Sequence, residues 1–419
     1  MKIEVLGAAM EIGRSAIKLS TDNSKLLLDY GVLIHRDEPK FPLPVSSRDL
    51  NAILLTHAHL DHSGGIPLFY ASSKPKLLTT KLTGEITNLL IKDLIKISSY
   101  YLPYEFLELN YMLKSIEPIE IGDELRIKDL NIYVLNAGHV PGSVMFLIRA
   151  YGKKILYTGD FNTIDTKMLH GAKINFPDID VIIMEGTYAT VDHEERSIVE
   201  ANFINSIHEV INSNGTVVIP AFSVGRSQEI LCVLYHHGIR DRIFIDGMAK
   251  TASSIFLDHP QYFRDYKLLS DALKKATWVD SWSKRRKICK ESGVIIAPAG
   301  MLKGGIVRFY VKKIAKEERN AIFLVSYQVE DTPGAMLIKS GEYNFGKNVE
   351  KISAKVKYFD FSSHCGNKEL VNVIKSINAK RVILVHGEKK KLEQFKEILE
   401  EEKLAEQVII PEVGEEIPL

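Results

Sequence analysis

Seven residues, Thr56-His57-Ala58-His59-Leu60-Asp61-His62, constrain this chain more than any other stretch. His57, His59, Asp61 and His62 follow directly on the apolar run Ala52–Leu55. So dense a set cannot point one way from a strand or a helix, where successive side chains diverge. On a loop, His57/His59 and Asp61/His62 can instead face two separate ions. Imidazole nitrogen and carboxylate oxygen suit zinc, and a catalytic zinc keeps a position open for water, so further ligands must come from elsewhere. His139 in Asn-Ala-Gly-His-Val-Pro-Gly-Ser follows one apolar run, Asp160 in Tyr-Thr-Gly-Asp-Phe-Asn follows another, and Asp29 closes Leu-Leu-Leu-Asp-Tyr-Gly. Taken singly, each reads as a loop histidine or a turn-capping aspartate. Together they require a fold that gathers several strand ends at one edge.

Composition narrows the setting. The 419 residues are too many for one average domain, and 45% apolar with 26% charged residues is ordinary for a globular protein. The formal net charge is only +1, so binding of a polyanion must come from a local basic patch. Cys232, Cys289 and Cys365 lie far apart, which argues against a disulfide framework and a thiolate zinc site. The first residues alternate like a strand and carry no signal-peptide pattern, and no apolar run reaches the roughly 18 residues of a membrane span. A soluble, cytoplasmic protein with no membrane association is expected.

Short β-branched runs dominate the first part: Lys2–Leu6, Ala16–Leu19, Lys25–Asp29, Ala52–Thr56, Lys76–Thr79, Asn131–Asn136, Met145–Ala150, Lys154–Thr158 and Val181–Met184. Helices are expected at Gly65–Ala71 and Thr83–Lys96. From about Asp192 strands alternate with helices, as in a parallel sheet. The expectation is an α/β protein in three stretches. Residues 1–190 form the first part of a layered sandwich, 191–345 an inserted parallel-sheet domain, and 346–419 return to complete the sandwich.

The motif at 56–62 resembles that of the metallo-β-lactamase superfamily, and Asp29, His139 and Asp160 fall at its other motif positions. The resemblance implies an αββα sandwich with two Zn2+ ions: His57, His59 and His139 on one, Asp61 and His62 on the second, and Asp160 bridging. Asp29 would orient the ligand loop, and with Asp61 it is counted among the catalytic candidates. Met-Glu-Gly-Thr-Tyr (184–188), Phe-Ser-Ser-His-Cys-Gly (361–366) and Leu-Val-His-Gly-Glu (384–388) resemble motifs A, B and C of the β-CASP nucleases. By that resemblance the insert is a β-CASP domain and His386 adds a ligand to the second zinc. His364 is then the acid for the leaving alkoxide, and Glu185 holds it protonated. The implied activity is hydrolysis of RNA phosphodiesters by a metal-bound hydroxide, endonucleolytic and also 5′-to-3′ exonucleolytic, in RNA 3′-end processing or decay. The alternative is a small-molecule (thio)ester hydrolase of the glyoxalase type, which would need neither Glu185, His364 nor the insert.

For gripping single-stranded RNA, Ser223, Arg226 and Ser227 lie at a strand-to-helix turn, Lys303 lies in a Gly-rich turn, and Ser363 belongs to motif B. Lys274–Lys290 interleaves both tryptophans with basic groups. It reads equally as a nucleic-acid surface or as a solvated helix with tryptophan anchors. His35, His170, His193, His208, His236, His237 and His259 fit no motif. Family members associate, and a homodimer is an expectation that no particular residue carries.

Overall fold

A computed structural model describes residues 1–34, 38–98, 101–346 and 348–419. His35 lies outside the described residues. The chain divides into two compact units: residues 1–165, 170–192 and 363–419 form the first, and 166–169 with 193–362 the second.

The first unit holds two seven-stranded sheets. One runs Glu416–Pro418, Lys2–Gly7, Ala16–Ser20, Lys25–Leu28, Ala52–Leu54, Lys76–Thr79, Ile116–Pro118 across its width. The other runs Gln407–Ile409, Arg381–Val385, Val181–Glu185, Lys153–Tyr157, Val144–Ala150, Leu130–Asn136, Glu124–Ile127. Strand alternation explains why they stack. Ile3, Val5, Leu26 and Leu28 on one side share a core with Ile132, Phe146, Ile155 and Ile383 on the other. Each such side chain contributes about 1.5–3 kcal/mol on burial. The opposite faces are covered by helices. Met145, Leu147 and Ile182 pack with Leu370 and Phe395 of the helices Asn367–Ile377 and Lys389–Glu401. Leu27 and Ile53 pack with Ile91 and Met112 of Lys81–Ile97 and Phe106–Lys114. The result is the expected αββα sandwich. Ile66–Ala71 is a 3-10 turn with Pro67 in its first positions, where an α-helix was expected.

The second unit is built on six strands that pair entirely in parallel, in the order Thr277–Trp278, Ile243–Ile245, Gly293–Ala297, Thr216–Pro220, Ala321–Leu324, Lys355–Tyr358. Thr216–Pro220 and Gly293–Ala297 are buried throughout, as a sheet covered on both faces demands. The last strand moves a boundary. Lys355–Tyr358 bonds to Ala321–Leu324, so the chain returns to the sandwich at Ser363 and not near residue 346. The cause is packing: Phe359 and Phe361 both stack edge-on against Phe203, at 5.1 and 5.0 Å.

Candidate metal centre

The side chains singled out in the sandwich sit where strands end. Asp29 follows Lys25–Leu28, His57 follows Ala52–Leu54, His139 follows Leu130–Asn136, Asp160 follows Lys153–Tyr157, and His386 follows Arg381–Val385. Asp29 and His386 have φ of 57° and 50°, a left-handed conformation that non-glycine residues adopt at a cost of roughly 1–2 kcal/mol. Backbone contacts hold the short stretch 60–62 in place. Val32, Ser15 and Tyr30 donate their N–H groups to the carbonyls of Leu60, Asp61 and His62 at 2.8, 2.7 and 2.8 Å. This requires Gly31, because a Cβ there would stand 1.7 Å from the Asp61 carbonyl oxygen.

Hydrogen bonds set the imidazole tautomers. Asp29 accepts from the Thr56 N–H and hydroxyl, from the Tyr157 hydroxyl and from His62 Nδ1, at 2.7, 2.8, 2.9 and 2.7 Å. With its proton given to Asp29, the Thr56 hydroxyl can only accept from His57 Nδ1, 3.0 Å away. His139 Nδ1 donates to the Ser363 carbonyl at 2.9 Å. In His57 and His139 the outer nitrogen therefore carries the proton, and Nε2 turns a lone pair inward, as a ligating histidine requires, while His62 gives its Nδ1 proton to Asp29.

The inward atoms converge as two histidine-rich groups, His57, His59, His139 and Asp160, and Asp61, His62 and His386, each within 4.8 Å, and Asp160 lies within the same distance of a third set, Glu185 and His364. His59 Nδ1 lies 3.2 Å from both His57 Nε2 and His139 Nε2. Two nitrogens on one tetrahedral zinc stand about 3.3 Å apart, so the spacing fits. Asp160 faces both groups. Its Oδ2 is 3.7 and 3.8 Å from His57 and His139 Nε2, and its Oδ1 is 3.3 Å from His62 Nε2. Asp160 Oδ1 and His386 Nε2 are buried with no partner in good hydrogen-bond geometry, the closest being His62 Nε2 at 3.3 Å and Asp61 Oδ2 at 3.4 Å. Leaving such an atom unsatisfied costs roughly 1–3 kcal/mol. A nitrogen and oxygen donor set with two orphaned atoms at its centre fits metal ions.

Electrostatics agree. Burial and the neighbouring rings push His57 and His139 well below the usual imidazole range, which keeps them neutral. Burial opposes charge on His62 as well, but Asp160 and Asp29 outweigh it and raise that ring. Asp160 is held well down by His386 and His62 against its own burial. These are the imbalances of a cluster assembled for added positive charge.

Beside the centre, Glu185 closes the strand Val181–Glu185 and is 2% exposed. Its carboxylate accepts from the Phe161 N–H at 2.9 Å and from His364 Nδ1 at 2.8 Å. The His364 ring lies 4.6 Å from that of His139, so the Glu185–His364 pair borders the first group of ligands.

Residues 19–192 match the Metallo-beta-lactamase superfamily, 227–337 the Beta-Casp domain and 349–411 the Zn-dependent metallo-hydrolase RNA specificity domain. The chain is 37% identical over its whole length to RNase aCSPSF2 of Saccharolobus solfataricus, covering 85% of that protein. It belongs to the β-CASP family of the metallo-β-lactamase superfamily. It is also 32% identical to Transcription termination factor FttA of Methanocaldococcus jannaschii, over 94% of this chain and 68% of that one. A solved Enterococcus faecalis V583 protein of unknown function shares the fold at 14% identity, with a TM-score of 0.63, covering 100% of this chain and 99% of that one.

In the β-CASP insert the candidate RNA contacts have varied surroundings. Ser227 is fully buried and its hydroxyl is spent on the Phe222 carbonyl at 2.7 Å, so it has no proton to offer a phosphate. Ser223 accepts through its carbonyl from the Gln228 side chain. Arg226 opens the helix Arg226–His236, and Lys303 is exposed on a turn. Ser363 lies in the first unit, where its carbonyl orients His139. Sequence reasoning assigns no role to two residues that lie in or beside its motifs. Tyr157 supports Asp29, and Glu229 accepts from the backbone N–H groups of Lys167 and Met168, at 3.0 Å each, on the loop downstream of Asp160. Among the unassigned histidines, His193 pairs with Asp360 at 2.6 Å and His237 with Glu200 at 2.8 Å. Among the described residues no helix is long and apolar enough to cross a membrane.

Proposed function

We propose that the chain is a zinc-dependent ribonuclease with two Zn2+ ions, cutting single-stranded RNA internally and also from the 5′ end, in RNA 3′-end processing or decay. The observation that carries this is the Glu185–His364 pair beside a centre with two groups of ligands. Two ions alone would serve a small ester. A proton donor fixed next to them serves an alkoxide leaving group. The relatives named RNase support the substrate class.

His57, His59, His139 and Asp160 would hold one ion, and Asp61, His62 and His386 the other, with Asp160 Oδ1 3.3 and 3.4 Å from His62 and His386. When bound, zinc would supply Lewis acidity, lowering the pKa of a water and offsetting charge on the phosphate. The protein's own part is positional. Asp29 and Thr56 lock the ligand tautomers, and Ser363 does the same for His139. Glu185 accepts a hydrogen bond from His364 Nδ1 and favours the doubly protonated ring, which would hand its Nε2 proton to the leaving oxygen and keep the Nδ1 proton. The test uses circular and linear single-stranded RNA. Cutting of the circle is expected only with metal present, and an inert protein with full zinc occupancy would refute the reading.

A further inference from the structure

Residues 282–290 hold five basic side chains and no acid, and residues 301–316 hold five more and no acid, in a chain of net charge +1. These stretches contain the helices Trp282–Ile288 and Val307–Ile314 of the insert. The helices meet: Ile288, Val307 and Val311 share one apolar cluster, and the Trp282 ring stands edge-on to Phe309 with centroids 5.3 Å apart. Yet Trp282 is 52% exposed. The contrast with Trp278 is informative, because Trp278 is half-buried and its indole N–H bonds to the Leu273 carbonyl at 3.3 Å. Trp278 is an anchor, and Trp282 is a braced but open ring.

The bracing is specific. The Arg285 guanidinium lies 4.8 Å from the Trp282 ring centre and is itself fixed by two hydrogen bonds to Asp246, at 2.7 and 2.9 Å. Asp246 directly follows the strand Ile243–Ile245, which roots this surface at the carboxyl edge of the parallel sheet. Open α/β sheets bind their ligands outside that edge. Arg286, Lys312 and Lys313 are exposed on the two helices.

We propose that Trp282, with the exposed Arg286, Lys312 and Lys313 of the same two helices, is a binding surface for single-stranded RNA. A base stacks on the indole and the adjoining phosphates meet the cations. A rigid exposed indole suits any base, because every base has a stacking face, while the cations suit a polyanion. An acidic peptide would use the cations and leave the ring unused. The proposal rests on RNA as substrate, but its test reads binding without cleavage.

Anisotropy of a labelled oligouridylate, with the full chain and a chelator present, measures affinity. Trp282→Ala is expected to raise Kd about tenfold, and Trp282→Phe to restore most of the loss. Arg286→Glu with Lys313→Glu should flatten the dependence of log K on log salt by roughly 0.7 for each phosphate that is no longer neutralised. In Trp278→Phe, which leaves Trp282 as the sole tryptophan, RNA should quench the emission. A folded Trp282→Ala that binds as the parent does overturns the proposal. So does displacement of the RNA by polyglutamate of equal charge at equal concentration. Cleavage is scored separately with zinc. Binding through Trp282 without cutting would refute the ribonuclease and leave this surface standing. Cutting with binding indifferent to Trp282 would do the reverse.

Discussion

The sandwich and the insert both use the carboxyl ends of strands, but they use them differently. In the sandwich, His57, His139, Asp160 and His386 leave strand ends with their inner atoms crowded against one another, an arrangement that a metal would relieve. In the insert, Asp246 leaves the same kind of strand end but is closed on the spot by Arg285 and by the Tyr310 hydroxyl at 2.6 Å. One edge is built to be completed by a ligand. At Asp246 the other is closed by its own side chains, and what it offers outward is an indole with cations on the same helices.

Substitutions can break this contrast, and the largest effect falls at the unfinished edge. His59→Ala should reduce RNA cleavage to background and lower bound zinc, read by product analysis and metal content together. Next, His364→Ala should lower kcat by roughly 10²–10⁴-fold with zinc content unchanged, the range for loss of one general acid. A fall in zinc instead would make His364 a ligand. Asp29→Asn keeps the shape but weakens the acceptor for His62 and Thr56, and should cost about 10–100-fold in zinc affinity or activity.

In the insert the expectation reverses. Asp246→Ala strands Arg285 and Tyr310 and should destabilise by about 3 kcal/mol in denaturant unfolding, while zinc content holds. The smallest effect is on pH. Burial raises Asp246 and Asp360, but hydrogen bonds from Arg285 and Tyr310 in one case, and from His193 in the other, outweigh it and lower both. A lowered folded pKa means that the unfolded chain binds more protons. Their contribution is therefore present above the ordinary carboxylate value near 4 and lost as pH falls through the lower folded value. Acid unfolding of Asp246→Asn should accordingly be shallower than that of the parent.

Legibility followed the same divide. His57, His59, Asp61 and His62 announce themselves because four donors in so short a stretch have no other common use. Asp29, His139 and Asp160 each look like turn residues, and only their convergence in three dimensions, or a resemblance, links them. The strand Lys355–Tyr358 was legible as a strand but not as belonging to the insert, since its partner Ala321–Leu324 and its neighbour Phe203 are distant in sequence. Ser227 reads as a phosphate contact because it lies with Arg226 at a strand-to-helix turn, where backbone N–H groups and a guanidinium can hold phosphate. The Phe222 carbonyl that occupies it lies five residues back, beyond what a turn signature specifies. The strand Glu416–Pro418 pairs with Lys2–Gly7 across nearly the whole chain, and nothing local signals it.

The most direct measurement incubates a circular single-stranded RNA with the protein after chelation, and again after stepwise return of zinc. Cleavage that is absent without metal and complete at two ions per chain is the expected result. Full cleavage by the stripped protein, or an intact circle at two bound ions, would contradict the account.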